Sequence, residues 1–339
     1  MKKLLIAAAA MTAVAGVAQA QSSVTIYGAY GNSVTSSKEG GVDKAATAQN
    51  ASRDHLGTTA LGVKGTEDLG GGMSAFFVLE GDLSGNGVLG GATTTSGTSE
   101  TTNIFNRHAH AGLKTNFGTL TVGRQNDSVK DTEGLAQVYN LSDNLANKTR
   151  IGDRIANATK YATPVWNGLS ATYTYSNNPA DAALDASNSS TDHNSYAINY
   201  KLPVLGGVDL AYAYGKEQSS GVQSGKTTRL SARATVMDVT VGVGYTTNQA
   251  TAGAEKTKQT MVSASKPFGN VEVKAHYWNN NASAGVGNAT DGWDGNGYGA
   301  MAVYNFSKRT AAYVGYSDFS ATAAANEVKV TTVGIFHKF

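Results

Sequence analysis

Leu169-Ser170-Ala171-Thr172-Tyr173-Thr174-Tyr175-Ser176 carries Leu, Ala and two Tyr on one face and only Ser and Thr on the other. A period of two is that of an extended chain, whose successive side chains point to opposite sides, so this segment predicts a β-strand with one apolar and one polar face. The reading repeats downstream. Tyr196, Ile198, Tyr200 and Leu202 alternate with Ser195, Ala197, Asn199 and Lys201, and Val208, Leu210, Tyr212 and Tyr214 alternate with Asp209, Ala211 and Ala213. Val239, Val241, Val243 and Tyr245 alternate with Thr240, Gly242, Gly244 and Thr246, and Val271, Val273, Ala275 and Tyr277 with Glu272, Lys274, His276 and Trp278.

Alternation alone also suits a soluble sandwich with a buried apolar face. Length separates the two. These strands run to about nine to twelve residues, enough to cross a bilayer at a steep tilt, whereas soluble strands average about five or six. Tyr173, Tyr175, Tyr200, Tyr214, Tyr245, Tyr277 and Tyr304 fall near strand ends, where a membrane interface holds aromatic girdles. Short connections such as 204–207, 267–270 and 307–309 alternate with long Gly, Ser, Ala and Asn-rich ones near 83–102, 178–193, 248–256 and 280–295, which predicts tight turns on one rim and long loops on the other. The count is sixteen, from a first strand at 24–33, a second at 56–67 and a fourth at 104–115 to a tenth at 226–236 and a last at 327–339. The expected fold is therefore all-β, a transmembrane antiparallel β-barrel with an even strand number. Pro164, Pro179, Pro203 and Pro267 all fall in the expected turns and loops, where no ladder donor is lost.

Composition narrows the function classes. Lys2 and Lys3, an apolar run from Leu4 to Val17 and then Ala18-Gln19-Ala20 form the pattern of a cleaved export signal, so residues 1–20 are expected to be removed and 21–339 to form one unit. Without them the 27 Lys and Arg become 25, level with 25 Asp and Glu, and a near-neutral chain predicts no nucleic-acid partner. An exported chain without cysteine draws its stability from closure rather than disulfides. The six histidines, at 55, 108, 110, 193, 276 and 337, are scattered, so no hydrolase-like cluster is expected and the chain does not read as an enzyme. Gly85-Asn86-Gly87-Val88-Leu89-Gly90 fits a dinucleotide fingerprint by spacing, but the Thr and Ser run that follows is no helix, so no cofactor is expected. Trp166 and Trp293 are read as interfacial rather than ligand-binding.

Ser23-Val24-Thr25-Ile26-Tyr27-Gly28, the run Gly62 to Met73 leading to Leu79-Glu80, Phe105-Asn106-Arg107-His108-Ala109-His110, and Phe117 to Gln125 together resemble the general Gram-negative porins, in particular the Neisseria and Burkholderia-type branch. Tyr304 to Thr310 is similar to that family's last periplasmic turn, and Val333 to Phe339 to its closing strand. The resemblance implies a water-filled pore for passive diffusion of small hydrophilic solutes and ions in the outer membrane of a Gram-negative bacterium. It also implies a homotrimer joined through its first strands, contact with outer-membrane lipid and lipopolysaccharide, and a terminal Phe339 read by the assembly machinery.

The same resemblance implies a loop folded into the barrel, with acids facing a ladder of wall cations whose field filters ions at short range. The stretch of approximately 125–152 is the candidate loop, with Asp127, Asp131, Glu133 and Asp143. Lys64, Arg107, Arg124 and Arg154 are the candidate wall cations, and they predict a weak anion preference. Ala60 stands where the family has an arginine, so that either the wall is weaker in positive charge there or the nearby Arg53 or His55 substitutes, and the Pro-Glu-Phe-Gly-like turn of some relatives is missing. Inward-pointing Arg107 implies, by strand parity, that His108 and His110 point outward. A substrate-specific channel of the same architecture, a barrel enzyme and a secreted adhesin are the competing readings. Scattered histidines speak against the enzyme, and long strands with unequal connections against the adhesin.

Overall fold

The computed structural model describes residues 22–49, 53–54, 56–83, 89–93, 101–137, 154–177, 192–204, 206–219, 221–249, 252–254, 256–281, 294–321 and 327–339. Sixteen antiparallel strands form the barrel. The first eight are β1 (Ser23–Glu39), β2 (Ala60–Gly70), β3 (Met73–Asp82), β4 (His108–Thr115), β5 (Gly118–Asn126), β6 (Arg154–Ala162), β7 (Leu169–Ser176) and β8 (Asp192–Leu202). The others are β9 (Val208–Ser219), β10 (Val222–Val236), β11 (Val239–Gln249), β12 (Thr257–Phe268), β13 (Val271–Asn281), β14 (Gly295–Asn305), β15 (Thr310–Ala321) and β16 (Val328–Lys338).

Each strand pairs with its chain neighbour, and β1 pairs with both β2 and β16, from Ala29 opposite Lys338 to Glu39 opposite Val328, so the sheet closes with no free edge. At that seam Gly28 exchanges backbone hydrogen bonds with Phe339, and a Cβ on Gly28 would stand 2.4 Å from the Ala60 carbonyl and 2.7 Å from the Phe339 ring. Only glycine fits there. The β10–β11 hairpin turns on Met237 and Asp238, both with positive φ, the twist that matches a two-residue connection.

Burial follows the sequence period. On β11, Val241, Val243 and Tyr245 are exposed while Gly242, Gly244 and Thr246 are buried, and the same alternation places Val24, Ile26, Leu120, Val122, Val262, Val333 and Ile335 on the outer face. The protein thus exposes its apolar side chains and covers Thr174, Ser195, Thr227, Ser263 and Thr332, the reverse of a soluble fold and the arrangement a lipid surround requires. Among the described residues no helix is long and apolar enough to cross a membrane. Trp166, at the β6–β7 turn, is exposed.

Several boundaries differ from the sequence reading, among them the start of β4, at His108 instead of 104. Strand β1 continues to Glu39, where Val42–Gln49 pairs back onto its upper half. Strand β2 starts at Ala60 because residues 53–58 form a small hairpin of their own, with Leu56 against Met301, Val303 and Tyr313. Strand β10 starts at Val222, carried by a tight turn through Gly221. Pro267 lies inside β12 rather than beyond it, at the penultimate position beside the turn.

Candidate functional site

After β5 the chain turns into the barrel instead of out of it. Asp127 caps α1 (Ser128–Asp131) by accepting a hydrogen bond from the Lys130 backbone N–H at 2.6 Å, a favourable place for an acid, and α2 (Glu133–Ala136) follows after Thr132. Helices this short hold no stable shape alone, so their packing fixes them. Val129 is buried against Ala197 and Ala213, and a Cβ on Gly215 would lie 3.0 Å from its Cγ2. A Cβ on Gly242 would meet the Leu135 carbonyl oxygen at 2.5 Å, and one on Gly244 the Ala136 Cβ at 2.6 Å. The lumen face of β8, β9 and β11 is thus reduced to Ala and Gly where the helices rest.

Polar bonds finish the seat. Ser195 Oγ accepts from the Ser128 N–H at 3.1 Å, Ser263 donates to the Ala136 carbonyl, and the Arg233 guanidinium donates to the carbonyls of Gly134 and, at 2.9 Å, Gln137. Trp278, fully buried and stacked on Phe319 at 6.0 Å, packs with Met261 and Ala136.

The loop's described acids are each engaged close by. Asp127 lies 3.3 Å from His193 Nε2, whose Nδ1 is 3.2 Å from Glu217, and the whole group is buried. Glu133 pairs with Lys130 at 2.7 Å. Asp131 pairs with Lys160 and accepts from Asn126 at 3.3 Å. Burial raises the Asp131 carboxyl above the ordinary aspartate range, against the pull of Lys160. Asp143 lies outside the described residues.

Half a barrel away, β1 to β4 carry the facing wall. Arg107 is 7% exposed, with Nε donating to Glu80 at 2.6 Å and Nη1 to Asp82 at 2.9 Å, while Tyr27 donates to Glu80 and Asn106 to Asp82, each at 2.9 Å. It is therefore locked between two carboxylates. Lys64 also points inward, its ammonium 5.0 Å from the centre of the Tyr27 ring, and Ala60 is buried on the same face. Arg154 opens β6 opposite Asn126, within electrostatic reach of His108.

Two orientations differ from expectation. His108 and His110 face inward, paired across the ladder with Glu80 and Gly123, because Arg107 sits in a bend before β4 and strand parity does not run through it. Arg124 shares the face of exposed Val122 and of Ala109, away from inward Thr121 and Gln125, and its Nε donates to the Asn106 carbonyl at 2.6 Å. The register of β5 thus takes Arg124 off the lumen wall. The side chain of Arg53 and all of His55 lie outside the described residues.

Sequence reasoning passed over Glu80 and Asp82, the His193 and Glu217 pair, and Arg229 and Arg233. Arg229 donates to Thr246 at 3.0 Å and lines a crevice with Glu133 beneath α2. The signal was present: Arg229, Ser231 and Arg233 form the inward register of β10 against outward Leu230. Among the described residues no group of three His, Cys, Asp or Glu side chains is placed to hold a metal. The arrangement is a polar lumen, narrowed on one side by a helical loop and lined on the other by ion-paired side chains, which suits solvated solutes.

The comparisons agree with this geometry. An outer membrane porin protein of Bordetella pertussis is 30% identical over 246 residues, covering 66% of this chain and 62% of its own length. Outer membrane porin protein 32 of Delftia acidovorans is 40% identical over 129 residues, or 37% of this chain and 32% of its own. The chain thus matches less than two thirds of the length of either relative. Among solved structures, the anion-selective porin from Comamonas acidovorans superimposes with a TM-score of 0.70 at 22% identity, covering 94% of this chain and all of that one. Salmonella typhi OmpF gives 0.66 at 17% identity, covering 93% and 97%. The Gram-negative porin family model matches residues 7–324, and with barrel, inward loop and relatives in accord, this chain belongs to the Gram-negative porin family.

Proposed function

We propose that the protein is a general diffusion porin: a water-filled outer-membrane channel that passes small hydrophilic solutes and ions passively, with a weak preference for anions. The observation that carries this reading is the helical loop seated on Ala and Gly inside a closed barrel whose remaining lumen is polar. Such a loop sets a size limit without chemistry. Lys64, Arg229 and Arg233 supply inward positive charge beyond the Arg107 network, and the similar Comamonas protein is named as anion-selective. The assembly is a homotrimer in contact through the outer face of the first strands, with Phe339 recognised by the assembly machinery and lipopolysaccharide filling the outer leaflet around it.

Purified protein in a planar bilayer tests this reading. Stepwise conductance in groups of three, with a reversal potential favouring Cl⁻ over K⁺ in a salt gradient, is expected. Single steps would remove the trimer and a K⁺ preference the anion reading, while a silent bilayer with folded protein would sink the channel itself.

A further inference from the structure

The lumen face of β14 to β16 breaks the polar pattern of the barrel interior. Met301 and Val303 on β14, Tyr313 on β15 and Phe336 on β16 all turn inward, and each is no more than 4% exposed. Large apolar side chains facing a water-filled lumen are buried only if something lies over them. The cover is an excursion of the chain just ahead of β2. Leu56 packs onto the cluster of Met301, Val303, Ala311 and Tyr313, and a Cβ on Gly57 would stand 2.8 Å from the Phe336 ring. Strands β1 and β16 lie between β2 and β15, so a segment that joins β2 at Ala60 and reaches the inward Tyr313 crosses both on the inside.

The crossing is fixed at its root. Pairing of β1 with β2 stops at Ala29 opposite Ala60, and beyond it the Gly31 N–H donates to the Thr59 hydroxyl at 3.1 Å instead of to a ladder partner. The Thr59 carbonyl accepts from the Leu83 N–H at 3.0 Å, and Thr59 is fully buried. Thr58 Oγ1 accepts from Arg107 Nη2 at 3.4 Å, which joins the excursion to the Glu80 and Asp82 network.

Its depth matches that of the helical loop. Met301 is four residues from the end of β14 and Tyr313 three from the start of β15, so both lie about 10 to 13 Å along the strand from the turn between them. Gly242, under α2, is three residues from the start of β11, about 10 Å from a turn on the same rim. At this level α1 and α2 rest on β8, β9, β11 and β12, and the excursion rests on β14 to β16.

We propose that segment 56–59 is a second constriction of the pore, anchored by Leu56, and that with α2 it confines solutes to the wall of β2 to β6, where Lys64, His108 and His110 face inward. The inference rests on the diffusion-pore reading. It makes the β1–β2 connection a determinant of solute size in its own right, beside the helical loop.

The chain has no cysteine, so Thr58→Cys introduces a single thiol. The variant in a planar bilayer is treated with a methanethiosulfonate reagent that carries either a sulfonate or a trimethylammonium group, and labelling is read by mass spectrometry. Parent-like conductance before treatment shows that the variant is folded. Both reagents are expected to lower conductance in steps, and to move the reversal potential in opposite directions, the sulfonate toward K⁺ and the trimethylammonium toward Cl⁻. Labelled protein with unchanged conductance and reversal potential overturns the proposal and leaves the segment as wall packing, and so does a thiol that the reagents do not reach. Leu56→Ser, which removes the anchor, should raise conductance and admit larger sugars in liposome swelling, and parent-like values in both would also overturn it. A parent that does not conduct defeats the pore reading and this inference together, whereas a conducting parent with an inert position 58 defeats the inference alone.

Discussion

At the scale of single residues, the lumen is governed by which charges are paired. Arg107 holds Glu80 and Asp82, both turned inward. Arg107→Ala leaves two uncompensated carboxylates at the wall. The expected outcome is a reversal potential shifted toward K⁺ and a barrel about 3 kcal/mol less stable to urea, the cost typical of breaking a buried pair by removing one partner. On the loop, burial makes the Asp131 carboxyl easier to protonate than an ordinary aspartate, against the pull of Lys160 beside it. Its raised pKa means that on acidification the negative charge disappears before that of the unburied aspartates. Cl⁻ selectivity should therefore increase on acidification in that window, and Asp131→Asn should show the acid-side value already at pH 7. Parent and variant with the same pH profile would remove Asp131 from the selectivity field.

At the scale of elements, the two helical turns depend on the wall more than on their own hydrogen bonds. Gly242 and Gly244 provide space that any Cβ would take from the backbone of α2. Gly242→Val must displace that helix, whereas the β11 ladder to β10 and β12 runs through backbone groups the substitution does not touch. Single-channel conductance should rise and larger sugars should enter in liposome swelling, with the barrel still folded. Unchanged conductance would mean that α2 does not set the passage. Element boundaries also explain the His108 and His110 reversal, since a bend at Arg107 resets the phase of the alternation.

At the scale of the whole molecule, closure makes the sixteen strands one unit and gathers the buried polar side chains on the lumen face. Opposed walls that differ in charge act across a water-filled gap, so their effect depends on screening. The Debye length falls from about 10 Å at 0.1 M salt to about 3 Å at 1 M. The Cl⁻ to K⁺ permeability ratio should fall toward one over that range while conductance grows. A ratio that holds constant would point to direct ion coordination at contact distance and not to the field of the walls.

The alternation of Leu169 to Ser176 and its counterparts determined the strand count, the apolar outer face and the lumen face, because in an extended chain side is set by position parity alone. The inward Gly and Ala positions of β8, β9 and β11 were legible in the same way, although not their purpose. The tertiary structure alone decided which charges meet. Asp127 found His193, Asp131 found Lys160, and Arg107 found Glu80 and Asp82 across stretches of chain whose spacing carries no record of the contact. Parity fixes direction only within an unbroken strand, so it misplaced His108 and His110 beyond the bend. Arg124 was assigned to the wall by resemblance, and the register of β5 turned it away, because partners and facing are set by how the closed sheet brings distant strands together.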